Sequence, residues 1–304
     1  MRQVAGFYAA AAVGAIVATT LTKILFPPSP SALMSQWHFV RDGIQFGISG
    51  LALMSQSGET LRFVAVHDNK QPGENRLSVV TLDGTGKVDY APLSWPAGVE
   101  LPIDLEAIST VPDTNPVEYL TLTSRGSAYR IAIDGETVRL LHQFNLPKTL
   151  EDNNYEGLAL QSLDGEIVAV WAHRGSDGDP AIVYWGQLDR DSWQIEPSGS
   201  ATLRVPWPNE AVRHISDLRV DPAGVLTISA ARDPGNDGPF QSALYIAGAF
   251  EVENGAIAFR QNSTLTPLFR YDRHKIEAIE FVPGTTGGAI AATDDENAGS
   301  SIWR

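Results

Sequence analysis

From residue 35 onward the apolar positions fall into short runs, four to nine residues long, broken by Gly, Pro, Asp and Asn. No window holds a long amphipathic helical period, so the pattern predicts an all-β domain over 35–304. One apolar phrase returns five times. It reads Ile48-Ser49-Gly50-Leu51-Ala52, Leu105-Glu106-Ala107-Ile108, Tyr155-Glu156-Gly157-Leu158-Ala159, Ile215-Ser216-Asp217-Leu218 and Ile276-Glu277-Ala278-Ile279. From Ser49 through Glu106, Glu156 and Ser216 to Glu277 the steps are 57, 50, 60 and 61 residues. A period of that length marks a repeat architecture.

Within each repeat, further β-rich runs follow the phrase. After Tyr155 to Gln161 come Ile167 to His173, then Ala181 to Leu188, then a fourth run within Gln194 to Val205. Four strands in such a span make one propeller blade. The tally predicts a five-bladed β-propeller. Six blades are the alternative, with one hidden in the two longest repeats. The fifth repeat ends at Trp303 without an outer strand, and Gln36 to Arg41 can supply it. Closure by strands from both ends of the chain removes free sheet edges.

The pattern before residue 27 is different. Val4 to Phe26 is almost wholly apolar, and its 23 residues would reach about 34 Å as a helix, enough to span a bilayer core. Residues 1–26 are therefore expected to be a transmembrane signal anchor or a cleaved signal peptide. Arg2 precedes the run, which predicts a cytoplasmic start and an extracytoplasmic body in periplasm, lumen or cell surface. Residues 27–34, with Pro27-Pro28-Ser29-Pro30-Ser31, read as a stiff spacer.

Composition narrows the chemistry. The 304 residues carry a net charge of −14 and no cysteine. Thiolate metal sites, thiol nucleophiles and disulfides are excluded, and an acidic surface makes nucleic acid an unfavourable partner. No Gly-x-Ser-x-Gly elbow, P-loop, His-Glu-x-x-His or dinucleotide glycine fingerprint is present.

The first strand of a blade lines the central channel. The phrase should therefore aim Glu106, Glu156 and Glu277, with Ser49 and Ser216, at one axis, with Asp104 and Asp217 beside them. Three converging carboxylates need positive charge among them. A bound Ca²⁺ would serve, with Asp294 and Asp295 as further candidate ligands. A ring of ion pairs to local arginines would serve as well. The second strands end in Arg125, His173-Arg174 and Arg232 in the middle repeats, and in His67-Asp68 and Asp294-Asp295-Glu296 in the first and last. If these ends surround one mouth, cations cluster on one side and carboxylates on the other. An arginine arc of Arg125, Arg174 and Arg232 could hold phosphate, while His67, Asp68 and His173 would be candidate catalytic groups.

The ordered series resembles the phytase-like propeller family described as "esterase-like activity of phytase". It is carried by Gly47-Ile48-Ser49-Gly50, Asp104-Leu105-Glu106, Asn154-Tyr155-Glu156-Gly157, His214-Ile215-Ser216-Asp217, Lys275-Ile276-Glu277 and Thr293-Asp294-Asp295-Glu296-Asn297. The resemblance covers roughly residues 45 to 304. It implies an exported propeller, often associated with lipid or membrane, that hydrolyses a phosphorylated small molecule with the help of a metal. Two departures stand out. The family usually has Glu-Gly where this chain has Glu106-Ala107 and Glu277-Ala278, and its acidic second-strand ends are replaced by Ser124-Arg125 and His173-Arg174. The reading that competes with an enzyme is a non-catalytic propeller that binds a protein partner beside the membrane.

Overall fold

The computed structural model describes residues 36–147, 152–284 and 288–304. Trp37–Arg304 is one unit, built from five sheets. The expected apolar helix of residues 1–26 and the spacer of 27–34 lie outside the described residues. Among the described residues no helix is long and apolar enough to cross a membrane.

Each sheet is a four-step antiparallel meander. The first blade is β2 (Gly50–Ser57), β3 (Thr60–Val66), β4 (Leu77–Leu82) and β5 (Val88–Leu93). The second is β6 (Leu105–Thr110), β7 (Glu118–Thr123), β8 (Ser127–Asp134) and β9 (Thr137–Asn145). The third is β10 (Tyr155–Leu163), β11 (Glu166–His173), β12 (Ala181–Leu188) and β13 (Ile195–Leu203). The fourth is β14 (Val212–Val220), β15 (Val225–Arg232) and β16 (Gln241–Glu253), whose long outer edge is shared by β17 (Ala256–Gln261) and β18 (Phe269–Asp272). The fifth is β19 (Ile276–Val282), β20 (Gly288–Thr293) and β21 (Ser300–Trp303), completed by β1 (Trp37–Arg41) with Trp37 opposite Trp303. The extra length of the fourth repeat is therefore a divided outer strand and not a sixth blade.

The sequence explains which strand goes where. The inner strands are small and apolar; β10 is buried at each of its first six positions. Outer strands such as β13 bury only scattered positions. Such strands suit the centre and the rim of a propeller respectively. The apolar core is divided into five clusters, one between each pair of neighbouring blades. Trp171 and Leu122, for example, pack between the second and third blades, and Val64 and Ile131 between the first and second. Small residues in the phrase let the inner strands crowd together. A Cβ on Gly157 would come within 2.8 Å of the Leu218 side chain on the next blade.

With the apolar groups placed between blades, the axis itself is polar. Arg219 lies there, only 4% exposed. Its Nη1 donates to the carbonyls of Leu158 (3.2 Å) and Leu218 (2.7 Å), and its Nη2 to those of Ile108 (3.0 Å) and Leu51. Asp217 lies 3.1 Å from Nη1 and accepts the Ile279 N–H at 2.7 Å, while Glu280 lies 3.6 Å from Nε. One guanidinium thus ties four inner strands together, and its two carboxylate partners reach the fifth.

Candidate functional site

The three phrase glutamates share one local device. Strand pairing skips from Leu105 to Ala107, from Tyr155 to Gly157 and from Ile276 to Ala278. Glu106, Glu156 and Glu277 are each the extra residue of a β-bulge, which breaks the ladder and re-aims the side chain. All three are buried at the start of an inner strand. A carboxylate removed from water needs a cation, a proton or several hydrogen bonds.

Two of the three have cations. Glu156 pairs with Arg174 at 3.1 Å and with Arg213 at 3.6 Å. Glu277 pairs with the same Arg213 at 2.8 Å and with Lys275 at 3.3 Å. Arg213 also grips Asp233, so its fork is fully engaged by carboxylates. Lys275 is 1% exposed and directs its ammonium to Asp294 (3.0 Å) and Glu296 as well as to Glu277. Burial works against the Lys275 charge, but Glu277 and Asp294 outweigh it and push its pKa up.

Glu106 is different. Among the described residues it has no hydrogen bond and no ion pair, although it is only 7% exposed. Burial, then the charges of Glu156, Asp104, Asp68 and Glu277, push its pKa well above the usual carboxylate range. Burial and the Glu277 charge likewise raise Asp68 to about 6. Glu156 rises to about 7 because burial outweighs its arginines. Asp104 adopts a left-handed φ of 66°, accepts a hydrogen bond from Ser124 Oγ, and meets the exposed Lys70 at 2.9 Å. Carboxylate oxygens of Asp68, Asp104 and Glu106 all lie within 4.8 Å of one another. Six carboxylates (Asp104, Glu156, Asp233, Glu277, Asp294 and Glu296) are thus paired with four cations, Lys70, Arg174, Arg213 and Lys275, while Asp68 and Glu106 have no ion pair among the described residues. The excess negative charge is concentrated at Glu106 and Asp68.

Several expected residues stand elsewhere. The expected split into an arginine side and a carboxylate side is corrected: Arg174, Arg213 and Lys275 are interleaved with the acids, because two of the three bulged glutamates, Glu156 and Glu277, hold these cations between them. Arg125 is exposed, and Arg232 serves the Pro239 carbonyl (2.7 Å) and Glu210 (3.8 Å). These two do not join Arg174 in an arc on the cluster. His67 is completely buried; its Nδ1–H donates to the Gly47 carbonyl at 2.5 Å, and its Nε2 receives Ser78 Oγ at 2.9 Å. Burial pushes it down to about 4, so it is a neutral brace inside the first blade. His173 Nδ1 accepts the Asn154 N–H at 2.9 Å, and burial lowers its pKa too. Asp295 is taken up by His274 Nδ1 (2.7 Å), the Lys275 N–H (2.7 Å) and Thr293 Oγ1 (2.9 Å). It positions Lys275, and both of its oxygens already accept hydrogen bonds. Asp294 is held by Lys275 and crosses Gly47 so closely that a Cβ there would stand 2.0 Å from its oxygen. Asp217 lies deeper, with Arg219.

Sequence reasoning did not assign Arg213, Lys275, Lys70 or Arg219. Two of them were within reach. Lys275 and Arg213 stand two and three residues before Glu277 and Ser216, where a cation serving the phrase could have been sought.

No protein-family model matches the chain, and comparison with curated proteins gives no match. Solved structures do match. An exo-β-1,3-galactanase from Clostridium thermocellum superposes with a TM-score of 0.51 at 10% identity, over 83% of this chain and 57% of that one. A glycoside hydrolase gives 0.50 at 12% identity, over 86% and 61%. A β-fructofuranosidase of Bombyx mori gives 0.47 at 12% identity, over 98% and 66%. The chain thus spans at most about two thirds of the length of these three. Likeness at such identities is a likeness of fold: an all-β, five-bladed propeller.

Proposed function

We propose that the chain is a hydrolase whose active site is the carboxylate cluster at the channel mouth, dependent on a divalent cation and acting on a phosphorylated small molecule. The observation that carries this reading is Glu106, a buried carboxylate without a counterion among the described residues, beside Asp68 and Asp104. An all-oxygen, all-anionic donor set of this kind suits Ca²⁺, which takes six to eight oxygen ligands. Asp68, Asp104 and Glu106 would hold it, with one Asp104 oxygen shared with Lys70.

When bound, such a cation polarises a phosphoryl oxygen or lowers the pKa of water. The residues of the chain do the rest. Arg174 has one carboxylate partner and a partly exposed guanidinium, so its remaining donors can orient an anionic substrate. Arg213 and Lys275 are fully engaged and fix the positions of Glu156 and Glu277. Glu156, raised to about 7, can exchange a proton with a substrate or water beside it.

A second reading draws on the same residues. If no metal binds, Glu106, whose pKa burial and the neighbouring acids push well above the usual carboxylate range, can donate a proton to a leaving oxygen, as glycoside hydrolysis requires. The structural neighbours named above are glycoside hydrolases, which gives this reading its substrate class.

Calorimetry with CaCl₂, followed by phosphomonoester and glycoside panels with and without chelator, separates the two. Binding of Ca²⁺ together with chelator-sensitive phosphatase activity is the expected result. Absence of both overturns the metal-dependent reading, and chelator-resistant cleavage of a glycoside establishes the second. A propeller that binds Ca²⁺ but cleaves neither class would be a binding module.

A further inference from the structure

Among the described residues seven large hydrophobic side chains are exposed, and three of them lie on or next to β18 and β1, strands joined by aromatic contacts. Phe269 (52% exposed) and Leu268 (53%) lie at the start of β18, and Phe39 (61%) lies on β1. Phe269 and Tyr271 alternate onto one face of β18, and Trp37 and Phe39 onto one face of β1. The rings form a chain: Trp37 to Tyr271 at 5.6 Å, Tyr271 to Trp303 at 5.7 Å and Trp303 to Phe269 at 6.3 Å. The buried end of this chain is the core between the fourth and fifth blades. Among the described residues nothing covers its outer end.

Two further observations say what covers it. Arg270, its guanidinium 4.9 Å over the Trp207 ring, and Arg273 lie on and just after β18 and are exposed, with Asp272 as the one acid between them, on a chain whose net charge is −14. Trp37, a member of the patch, is also the first residue of the propeller unit. Before it run the apolar residues 4–26 and ten connecting residues, 27–36, which fully extended reach roughly 35 Å. Interfacial aromatics beside arginines are the side chains that favour a lipid headgroup region.

We propose that this face docks on the surface of an anionic lipid bilayer, with Phe269, Leu268 and Phe39 entering the headgroup region and Arg270 and Arg273 meeting lipid phosphates. The catalytic reading plays no part in this inference.

The chain has no cysteine, so a single introduced one carries a unique label. The full chain, bearing an environment-sensitive fluorophore at Leu268→Cys or Phe39→Cys, is incorporated into phosphatidylcholine vesicles with a quarter phosphatidylglycerol. A control label sits at Ser198→Cys, an exposed position on β13. Expected is strong quenching of the Leu268 and Phe39 labels by brominated lipid and several-fold less at Ser198. The double variant Arg270→Glu/Arg273→Glu should reduce the Leu268 signal at least threefold. Failure of the chain to float with vesicles, no quenching at Leu268 and Phe39, or equal quenching at Ser198 each overturns the proposal. A label shift that follows protein concentration without lipid overturns it in favour of a second copy of this chain.

Discussion

In metal-free protein, replacing Glu277 by glutamine should lower stability, whereas replacing Glu106 by glutamine should leave it nearly unchanged or raise it. Glu277→Gln removes the anion shared by Arg213 (2.8 Å) and Lys275 (3.3 Å). Breaking a buried ion pair by removing one partner costs about 3–5 kcal/mol. Asp294, Glu296, Glu156 and Asp233 still partner the two cations, so the low end applies, about 3 kcal/mol. For a unit of this size 1 kcal/mol moves Tm by about 2 °C, which gives a loss of about 6 °C. Glu106→Gln removes no cation's partner and relieves repulsion from Glu156, Asp104, Asp68 and Glu277. Tm should stay within about 2 °C of the parent or rise. Calcium at about a hundred times its Kd should then add about 2.7 kcal/mol to the parent, near 5 °C, and nothing to Glu106→Gln. Differential scanning calorimetry in chelator and in CaCl₂ reads all four values. A Glu106→Gln protein that loses as much as Glu277→Gln in chelator would mean that Glu106 has a partner after all, and the case for a cation seat would fall.

Three other outcomes follow from the same geometry. Asp217 is raised by burial to about 7 despite Arg219, so the folded state holds a proton that the unfolded state has released. Its contribution to stability therefore declines as pH rises from about 4 to about 7, by up to roughly 4 kcal/mol; urea midpoints of parent and Asp217→Asn should diverge across that window, and parallel curves would refute the assignment. Arg219→Met strips four carbonyls and two acids of their donor and should cost at least about 3 kcal/mol by urea unfolding; a loss under 1 kcal/mol would show that the inner strands do not depend on it. Gly47→Ala should push Asp294 off Lys275 and cost about 1–3 kcal/mol by overpacking, while Gly58→Ala, with open space at its Cβ, should cost less despite its positive φ.

The blade count was legible because each repeat repeats a physical requirement. An inner strand crowded on both faces has to be small and apolar, and it recurs wherever a blade begins. The convergence of Glu106, Glu156 and Glu277 was legible for the same reason, since equivalent positions in a closed ring face one axis. Partner choice was not. Arg125 and Arg174 both follow second strands, but the register puts Ser124 where the third blade has Arg174, so Arg174 pairs with a bulged glutamate and Arg125, one residue further on, faces solvent. His67 and Asp68 are neighbours in sequence, but successive side chains leave the backbone in different directions. The histidine braces the blade, and the aspartate enters the cluster.

Sequence by itself thus determined the period, the propeller plan with five blades as its first reading, and the ring of phrase carboxylates, because these depend on spacing and residue size alone; the divided outer strand of the fourth blade then removed the six-bladed alternative. Tertiary structure decided that Arg219 would close the axis, that Arg213 and Lys275 would neutralise Glu156 and Glu277, and that Glu106 would have no cation among the described residues. Those outcomes depend on which long side chains from different repeats come within about 3 Å of one carboxylate, the range of a charge-assisted hydrogen bond. That distance is set by bulges and by the close approach of neighbouring blades, and no local pattern along the chain records it.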